Sequence, residues 1–256
     1  NPEHPYHWFY MEWIKKAKEK QVLYIHFTMD DNPSLSQSVK DRYKSLYSGA
    51  FYERFIEGKW VTAQGLVYPM FSPERHIKKC KGKFNRFYLS CDYGTVNPFS
   101  LGLWGECDGK WFRLDEYYYS GRDNGIQLTD EEYYRELERL ANGKDITALI
   151  IDPSAASFIQ TVLRHGKFRV IKANNDVLTG INRVCQALKD EEIFIYPSCT
   201  DAIREFSIYR WDDNIKKDAV KKENDHAMDD IRYFVATVLG RENQNSSFAS
   251  VAIERN

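Results

Sequence analysis

The order of apolar segments from Phe87 onward constrains the fold of this chain more than any other sequence feature. Three strand-like runs come first, and the dipeptide Asp108-Gly109 between the second and the third is a strong hairpin signal. Helix-like and strand-like segments then alternate. The predicted strands cover residues 87–92, 99–106, 110–119, 147–152, 168–172 and 193–196, and the predicted helices cover residues 130–140, 155–165, 177–190, 200–208 and 225–239. Three antiparallel strands followed by this alternation predict an α/β fold, with a mixed sheet flanked by helices.

This order of elements resembles the ribonuclease H-like fold, and it divides the chain into three predicted regions. Residues 86–242 would form the ribonuclease H-like domain, and residues 243–256 a C-terminal tail. Residues 1–85 would form a small, mostly helical N-terminal extension. Within the extension, the composition predicts a helix over 9–20, a strand over 22–27, and a helix that begins after Ser36 and ends at Gly49.

The composition excludes several classes of protein. Of the 256 residues, 43% are hydrophobic, which is enough for a core and excludes wholesale disorder. No apolar run approaches the roughly 18 residues that a membrane-spanning helix needs. The five cysteines include no Cys-x-x-Cys pair, so we expect free, reduced thiols rather than a disulfide framework or a zinc site. With a net charge of −1, any surface that binds nucleic acid must be local.

Two aspartates each follow a run that is typical of a buried strand. Asp92 follows Phe87–Cys91, and Asp152 follows Ala148–Ile151. A structural role is the alternative for each of them, since aspartate is common in turns and at the starts of helices. An apolar strand that ends in aspartate is also found in P-loop ATPases, but the chain contains no GxxxxGK[ST] loop.

The start of the last predicted helix adds a histidine and a third carboxylate. His226 and Asp229 are three residues apart, so on a helix they project from the same face. Oxygen ligands from two strands and a helix can hold Mg²⁺ or Mn²⁺, and a pair of such ions can drive phosphodiester hydrolysis. The structural alternative is that the helix macrodipole favours Asp225, Asp229 and Asp230, and that His226 only packs.

Three segments of the sequence together resemble the large terminase subunits of tailed bacteriophages. They are Leu89–Gly94, Leu149–Pro153 and Lys222–Asp229, and the DHAMD element within the last is the most specific. The resemblance extends upstream over residues 25–33 and 47–60, which are similar to the segment that joins the packaging ATPase to the nuclease. In that family the phosphate-binding loops of the motor lie nearer the N-terminus, so we expect the chain to be a fragment of a longer protein.

The resemblance implies a metal-dependent endonuclease that cuts double-stranded DNA concatemers during phage genome packaging. Two Mg²⁺ or Mn²⁺ ions would be held by Asp92, Asp152 and Asp229, with Asp92 bridging them. His226 would lie beside the second ion or orient the attacking water. The segment between the last two helices matches a variable family loop beside the active site. Its predicted contacts with the DNA backbone are Arg210, Lys216, Lys217, Lys221 and Lys222.

The same resemblance implies partners and a location. The small terminase subunit and the portal protein of the procapsid would direct the enzyme to its DNA, and no membrane would be involved. The protein would act in the cytoplasm of the infected bacterial host, transiently at the procapsid portal.

Three other functions share parts of this pattern. A non-catalytic DNA-binding or docking module of the packaging motor would keep the fold without the chemistry, although all the candidate metal ligands are present. A phosphotransferase of the sugar-kinase and actin-like class has the same core fold, but the segment around Asp152 has no glycine and the chain has no Gly-Gly pair. A junction-resolving nuclease shares the chemistry but not the upstream linking segment.

Overall fold

The structure is a computed structural model that describes residues 5, 7–47, 49–61, 64–212, 214 and 218–240. The described residues fall into two compact units. The larger one, called the sheet unit, lies within Met70–Ile208 and Glu223–Asn256, and the smaller one, called the small unit, lies within Asn1–Pro69 and Tyr209–Lys222. In the part of the chain that the structure describes, no helix has both the length and the apolar character that crossing a membrane requires.

The sheet unit is built on one six-stranded sheet. Its strands are β1 (Arg86–Asp92), β2 (Phe99–Cys107), β3 (Lys110–Tyr119), β4 (Ile146–Ile151), β5 (Val170–Lys172) and β6 (Ile193–Ile195), arranged in the order β5-β4-β1-β2-β3-β6. β2 is antiparallel to both β1 and β3, whereas β4 is parallel to β1 and β5, and β6 is parallel to β3. The mixed sheet predicted from the sequence is confirmed.

The β2–β3 hairpin forms at the dipeptide that predicted it. Asp108 and Gly109 have φ angles of 54° and 74°. Positive φ at both central residues is what a type I′ turn requires, and aspartate and glycine tolerate this region best. Cys107 pairs directly with Lys110, so the turn sets the register of the first part of the hairpin.

The helices that flank the sheet also follow the sequence. In chain order the α-helices within the described residues are α1 (Gln37–Ser45), α2 (Gly49–Phe55), α3 (Pro73–His76), α4 (Gly121–Asn124), α5 (Asp130–Ala141), α6 (Ala156–His165), α7 (Val177–Lys189), α8 (Thr200–Ile208) and α9 (His226–Thr237). Helices α5 to α9 correspond to the five predicted helices, with ends that differ by two residues at most. α5 begins with a capping box in which Thr129 and Glu132 each accept the other's backbone N–H.

The two faces of β1 pack on different helices. Leu89 and Cys91 belong to a hydrophobic cluster that α5 and α6 complete with Leu137 and Phe158. Side chains alternate along a strand, so the residues between and beyond Leu89 and Cys91 point to the opposite face. α9 lies on that face, and every residue of α9 after its first is buried.

α9 and β1 advance in step along this second face. The contacting pairs are Asp92–His226, Ser90–Asp230 and Tyr88–Phe234. Each step covers two strand residues, about 6.6 Å, and four helix residues, about 6 Å. The order of these pairs shows that α9 runs antiparallel to β1. Because the two rises nearly match, each turn of α9 contributes one side chain that contacts β1.

A buried ion pair lies in the middle of this interface. Arg113 and Asp230 are fully buried, and Arg113 Nη2 donates to Asp230 Oδ2 at 2.8 Å. Ser90 Oγ donates to Asp230 Oδ1 at 2.7 Å, and Ser100 donates to Oδ2. With the second guanidinium nitrogen of Arg113, the Asp230 carboxylate accepts from four donors. A buried charge is tolerated when it is paired and hydrogen-bonded in this way.

The N-terminal part of the small unit differs from its prediction. The helix predicted over 9–20 is a π-helix at Tyr10–Ile14 followed by turns. The strand predicted over 22–27 is wrong, since this segment has no strand structure and leaves Leu23 82% and Phe27 73% exposed. β-prone residues form a strand only against a partner. Within the described parts of the chain, no segment pairs with this one.

Helix α1 and the segment Tyr209–Lys222 complete the small unit. Ser36 caps α1 as predicted, but the helix ends at Ser45, before Gly49. The N–H of Val67 donates to the carbonyl of Tyr209 at 3.0 Å, which joins the late segment to the early one. The sequence did not indicate this grouping, and the domain boundaries predicted at residues 85 and 242 stay predictions.

The cysteines also differ from their prediction. Cys80 and Cys107 form a disulfide, so the prediction of five free thiols is wrong for this pair. The N–H of Asn85 donates to the carbonyl of Glu106 at 2.9 Å, which lays the segment after Cys80 beside the end of β2. A contact between residues 27 positions apart has no local sequence signal. The cysteines outside the disulfide, all of them buried, are Cys91, Cys185 and Cys199.

Candidate metal centre

The two strand-ending aspartates lie at one edge of the sheet. β1 and β4 are parallel neighbours, and Cys91 pairs with Ile151 near their carboxyl ends. The residues that follow this pair are Asp92 and Asp152. Because the strands run in the same direction, the two aspartates reach the same edge although 60 positions of sequence separate them.

α9 brings His226 to this edge. His226 is the first residue of α9, and its Nδ1 atom lies 2.8 Å from Asp92 Oδ2. The side chains are 18% and 15% exposed, respectively, so the pair is largely buried but open to solvent. Burial lowers the pKa of His226, but its hydrogen bond with Asp92 and the nearby negative charges outweigh burial, so the pKa lies above its ordinary value.

Asp92 is surrounded by negative charge. Burial raises the pKa of its carboxyl group to about 6, and the charge of Asp229 adds to the rise, while the hydrogen bond with His226 opposes it. The rise comes mainly from burial, and repulsion between carboxylates adds a smaller part. A divalent cation placed among these carboxylates would neutralise that repulsion.

Asp152 is held by hydrogen bonds on both of its oxygens. The N–H of Ser154 donates to Oδ1 at 2.7 Å, and the Tyr233 hydroxyl donates to Oδ2 at 2.9 Å. The side-chain amide of Asn175 lies 3.5 Å from Oδ2. Burial alone would raise the pKa of Asp152, but these hydrogen bonds outweigh it and hold the pKa below its usual value. The carboxylate is therefore ionised and fixed in direction.

Asp229 projects from α9 one turn after His226. It is 7% exposed, and Arg232 Nε and Nη2 donate to its Oδ1 atom at 3.2 and 2.9 Å. Arg232 also donates to the carbonyl of Asn175 at 3.1 Å, which ties α9 to the segment after β5. The guanidinium thus orients the Asp229 carboxylate through one of its oxygens.

Tyr233 is a common neighbour of all three aspartates. Burial raises the pKa of its hydroxyl, and the charges of Asp92, Asp229 and Asp152 raise it further. The three carboxylates come from separate elements, and the charge of each one acts on this hydroxyl. That the three aspartates form one metal site with His226 stays a prediction.

The chemistry of this donor set fits Mg²⁺ or Mn²⁺. Both ions prefer carboxylate oxygens, and Mn²⁺ also accepts an imidazole nitrogen. Within the described residues, the ligand atoms of the three aspartates and His226 do not all lie within 4.8 Å of one another. The structure brings Asp92 and His226 into contact, and it places Asp152 and Asp229 on their own hydrogen-bond partners around that pair.

The other two acidic residues near the start of α9 have different surroundings. Asp230 lies in the buried ion pair with Arg113, a structural role that differs from the macrodipole effect considered for it. Asp225 precedes the helix, is buried, and has Oδ1 3.7 Å from Nε2 of His226. Asp229 is hydrogen-bonded to Arg232 and adds to the negative charge that acts on Asp92.

Several residues of the centre were missed by the sequence reasoning. Arg232 and Tyr233 lie three and four positions after Asp229, so helical spacing alone could have placed them beside it. Ser154 follows Asp152 by two positions, which is typical of an aspartate that accepts a backbone N–H in a turn. Asn175 reaches the site from the segment after β5, and no local pattern marks it.

The predicted DNA-contacting residues are placed only in part. Arg210 and Lys222 are exposed and Lys221 is half-buried, and all three belong to the small unit. The N–H of Lys221 donates to the carbonyl of Arg210 at 3.1 Å, so the two lie side by side. Lys216 and Lys217 lie outside the described residues.

Comparison with known proteins points to one family. No family model matches the chain. The large terminase subunit of Escherichia phage T5 is 20% identical over 229 residues, which are 84% of this chain and 51% of that protein. The structure of a large terminase from a thermophilic bacteriophage is 45% identical, with a TM-score of 0.86, over 93% of this chain and 60% of that one.

A more distant structure bears on the fold alone. The nuclease domain of the P22 large terminase is 16% identical with a TM-score of 0.54, and the match covers 66% of this chain and 90% of that domain. Together with the strand order, this likeness confirms the predicted ribonuclease H-like fold. The chain spans about half of the T5 protein and three fifths of the terminase from the thermophilic phage.

Proposed function

We propose that this chain, a homologue of the phage large terminase subunits, is a metal-dependent endonuclease that cuts double-stranded DNA concatemers during phage genome packaging. The observation that carries the proposal is the contact of Asp92 with His226 at the sheet edge that Asp152 also reaches. Carboxylates that converge from separate elements at a solvent-open edge suit metal-assisted phosphodiester hydrolysis.

The candidate ligands take the roles that the family resemblance implies. Asp92, Asp152 and Asp229 would hold two Mg²⁺ or Mn²⁺ ions, with Asp92 between them. When bound, such a pair supplies the Lewis acidity that activates water and stabilises the leaving 3′-oxygen. His226 would contact the second ion or orient the water, and its hydrogen bond to Asp92 supports either role.

Other residues of the chain fix these ligands in place. Tyr233 and the N–H of Ser154 hold Asp152 from its two oxygens, and Arg232 holds Asp229. Partners of this kind orient a ligand before the ion arrives, and their loss typically weakens metal affinity about 10- to 100-fold.

The homology supports a proposal for the substrate and the partners. Double-stranded DNA would be held through its phosphates by basic residues of the segment Tyr209–Lys222. The small terminase subunit and the portal would supply targeting, as the family resemblance implies. The protein would work in the cytoplasm of the infected host and transiently at the portal.

A plasmid assay tests the proposal with two matched variants. Supercoiled plasmid is incubated with the protein and Mn²⁺, Mg²⁺ or EDTA. Asp92→Asn removes a carboxylate from the metal centre, whereas Asp190→Asn makes the same change at an exposed position after α7. We expect cleavage to need the ion and to be unaffected in Asp190→Asn. In Asp92→Asn the cleavage rate should fall by more than about a hundredfold, because removing a metal ligand costs more than removing a hydrogen-bond partner of a ligand.

The outcomes separate the proposal from its main alternative. Cutting by Asp92→Asn at the wild-type rate would remove Asp92 from the chemistry and contradict the proposal. A folded protein that cuts with none of the ions would instead favour a non-catalytic docking module of the packaging motor.

A further inference from the structure

Glu205 is a buried carboxylate that has no part in the metal chemistry proposed above. It lies in α8 and is fully buried. Its Oε2 atom accepts from the backbone N–H groups of Ala227 and Met228 at 2.8 and 3.3 Å. Its Oε1 atom accepts from the Tyr118 hydroxyl at 2.7 Å and lies 3.4 Å from Arg204 Nη2.

The two N–H groups belong to the first turn of α9, which needs acceptors from outside the helix. The first four N–H groups of a helix have no partner within it, and the side chain of the N-cap residue usually supplies one. The N-cap residue of α9 is Asp225, and its side chain makes no capping hydrogen bond. Glu205 supplies the acceptor from another helix, and its negative charge suits the positive end of the helix dipole.

The residues that Glu205 holds lie between two candidate metal ligands. Ala227 follows His226 directly, and Met228 directly precedes Asp229. The position of these two backbone units therefore determines where both side chains point. A displaced first turn would lengthen the contact of 2.8 Å between His226 and Asp92.

The neighbouring residue of α8 holds the chain on the other side of His226. Arg204 Nη1 donates to Asn224 Oδ1 at 2.8 Å. Asn224 has a φ angle of 54°, the left-handed conformation through which the chain enters α9. Two consecutive residues of α8 thus hold the side chain of Asn224 before His226 and the backbone N–H groups of Ala227 and Met228 after it.

We infer that Glu205 is a positioning residue for the metal centre, an inference that rests on the proposed nuclease function. Glu205 acts through the backbone of α9. By fixing the first turn, it sets the distance from His226 to Asp92 and the direction of the Asp229 carboxylate.

Three variants test this role. Glu205→Ala removes both acceptor atoms, while Glu205→Gln keeps one oxygen that can still face the N–H groups of Ala227 and Met228. Tyr118→Phe is the matched control, because it removes a donor to the same carboxylate but leaves the bonds to α9 intact. The measurements are the Mn²⁺ dissociation constant by calorimetry and the ¹⁵N resonances of the His226 imidazole in metal-free protein, with thermal unfolding to verify folding.

The expected order follows from which bonds each variant keeps. Glu205→Ala should raise the Mn²⁺ dissociation constant by about 10- to 100-fold and shift the His226 resonances. Glu205→Gln should recover most of that loss, and Tyr118→Phe should stay within about twofold of wild type, since the hydrogen bonds to α9 remain. Equal losses in Glu205→Ala and Tyr118→Phe, or wild-type values in Glu205→Ala, would overturn the inference. So would failure of both Glu205 variants to fold, because the residue would then serve the fold as a whole.

The ¹⁵N resonances of the His226 imidazole distinguish failure of this inference from failure of the proposed function. If the wild-type protein binds Mn²⁺ without cutting DNA, the nuclease proposal fails while the role of Glu205 is still decided by affinity and by the resonance. If the protein cuts DNA and Glu205→Ala leaves both readouts unchanged, only the inference on Glu205 fails.

Discussion

Two neighbouring aspartates of α9 should respond differently to the same substitution. Asp230→Asn replaces a carboxylate that is fully buried against Arg113. Asp229→Asn replaces one that lies in the candidate metal centre. Both changes keep the size of the side chain and remove its charge. We expect Asp230→Asn to destabilise the sheet unit strongly, and Asp229→Asn to abolish cleavage with a much smaller effect on stability.

The magnitude for Asp230 follows from its hydrogen bonds. Removing one partner of a buried ion pair costs about 3–5 kcal/mol, because the other charge is left without compensation. The amide nitrogen of Asn also replaces an oxygen that accepts from Ser100 or Arg113, so these donors lose an acceptor. We therefore expect the free energy of unfolding to fall by about 4 kcal/mol. That is a large part of the roughly 5–15 kcal/mol that stabilises a domain.

The magnitude for Asp229 is smaller because its partner keeps other acceptors. Arg232 also donates to the carbonyl of Asn175 at 3.1 Å and lies 3.5 Å from that of Asp176. The substitution in addition removes the repulsion that Asp229 exerts on Asp92. We expect a loss of roughly 1 kcal/mol, the net worth of one hydrogen-bonded contact.

Urea unfolding followed by circular dichroism, together with plasmid cleavage in Mn²⁺, compares the two variants. With a slope of about 1–3 kcal/mol per molar urea, a loss of 4 kcal/mol lowers the unfolding midpoint by more than about 1 M. If Asp230→Asn lowers the midpoint no further than Asp229→Asn does, the argument that the buried ion pair holds α9 on the sheet is refuted.

The remaining predictions concern metal and DNA binding. Tyr233→Phe removes a donor to Asp152 and should raise the Mn²⁺ dissociation constant about tenfold in calorimetry; an unchanged constant would show that the bond is dispensable. Because burial raises the pKa of Asp92 to about 6, Mn²⁺ affinity should fall as the pH drops below about 6, and an affinity that is constant from about pH 7 to 5 would contradict this. The raised pKa also affects the stability of the metal-free protein. The contribution of Asp92 to the free energy of unfolding is fully present below the unfolded-state pKa near 3.8 and is lost as the pH rises through about 6. Urea midpoints measured across that range would show this loss. Glutamine replacements in the small unit should lower the salt slope of DNA binding in fluorescence anisotropy by about 0.9 for each phosphate that is no longer neutralised, and an unchanged slope would show that these residues do not touch phosphate. The replaced residues are Arg210, Lys221 and Lys222.

The fold was predictable where local chemistry decides it. Asp108-Gly109 determines the hairpin by itself, and Thr129 with Glu132 determines the start of α5. The strand predicted over 22–27 failed because the existence of a strand depends on a partner elsewhere in the chain, which no local pattern reports. The prediction of free thiols at Cys80 and Cys107 failed for the same reason, because the two cysteines meet across 27 positions of sequence.

The sequence indicated the candidate ligands of the site but not the residues that hold those ligands in place. Asp92 and Asp152 were visible because each ends an apolar run, and parallel pairing then brings them to one edge. The role of Glu205 could not be predicted, because the residue belongs to a different helix and lies 22 positions before Ala227, whose N–H donates to it. The amphipathic spacing of α8 predicts that Glu205 is buried, but it does not indicate that the carboxylate faces the start of α9.

The matched advance of α9 and β1 limits how the metal centre can be re-engineered. One residue inserted in β1 between Ser90 and Asp92 would turn the Asp92 carboxylate to the face that carries Leu89 and Cys91, away from His226. Changes of length in either element therefore delete the centre without replacing any ligand. Attempts to alter metal preference must therefore keep β1 and α9 at constant length and substitute side chains.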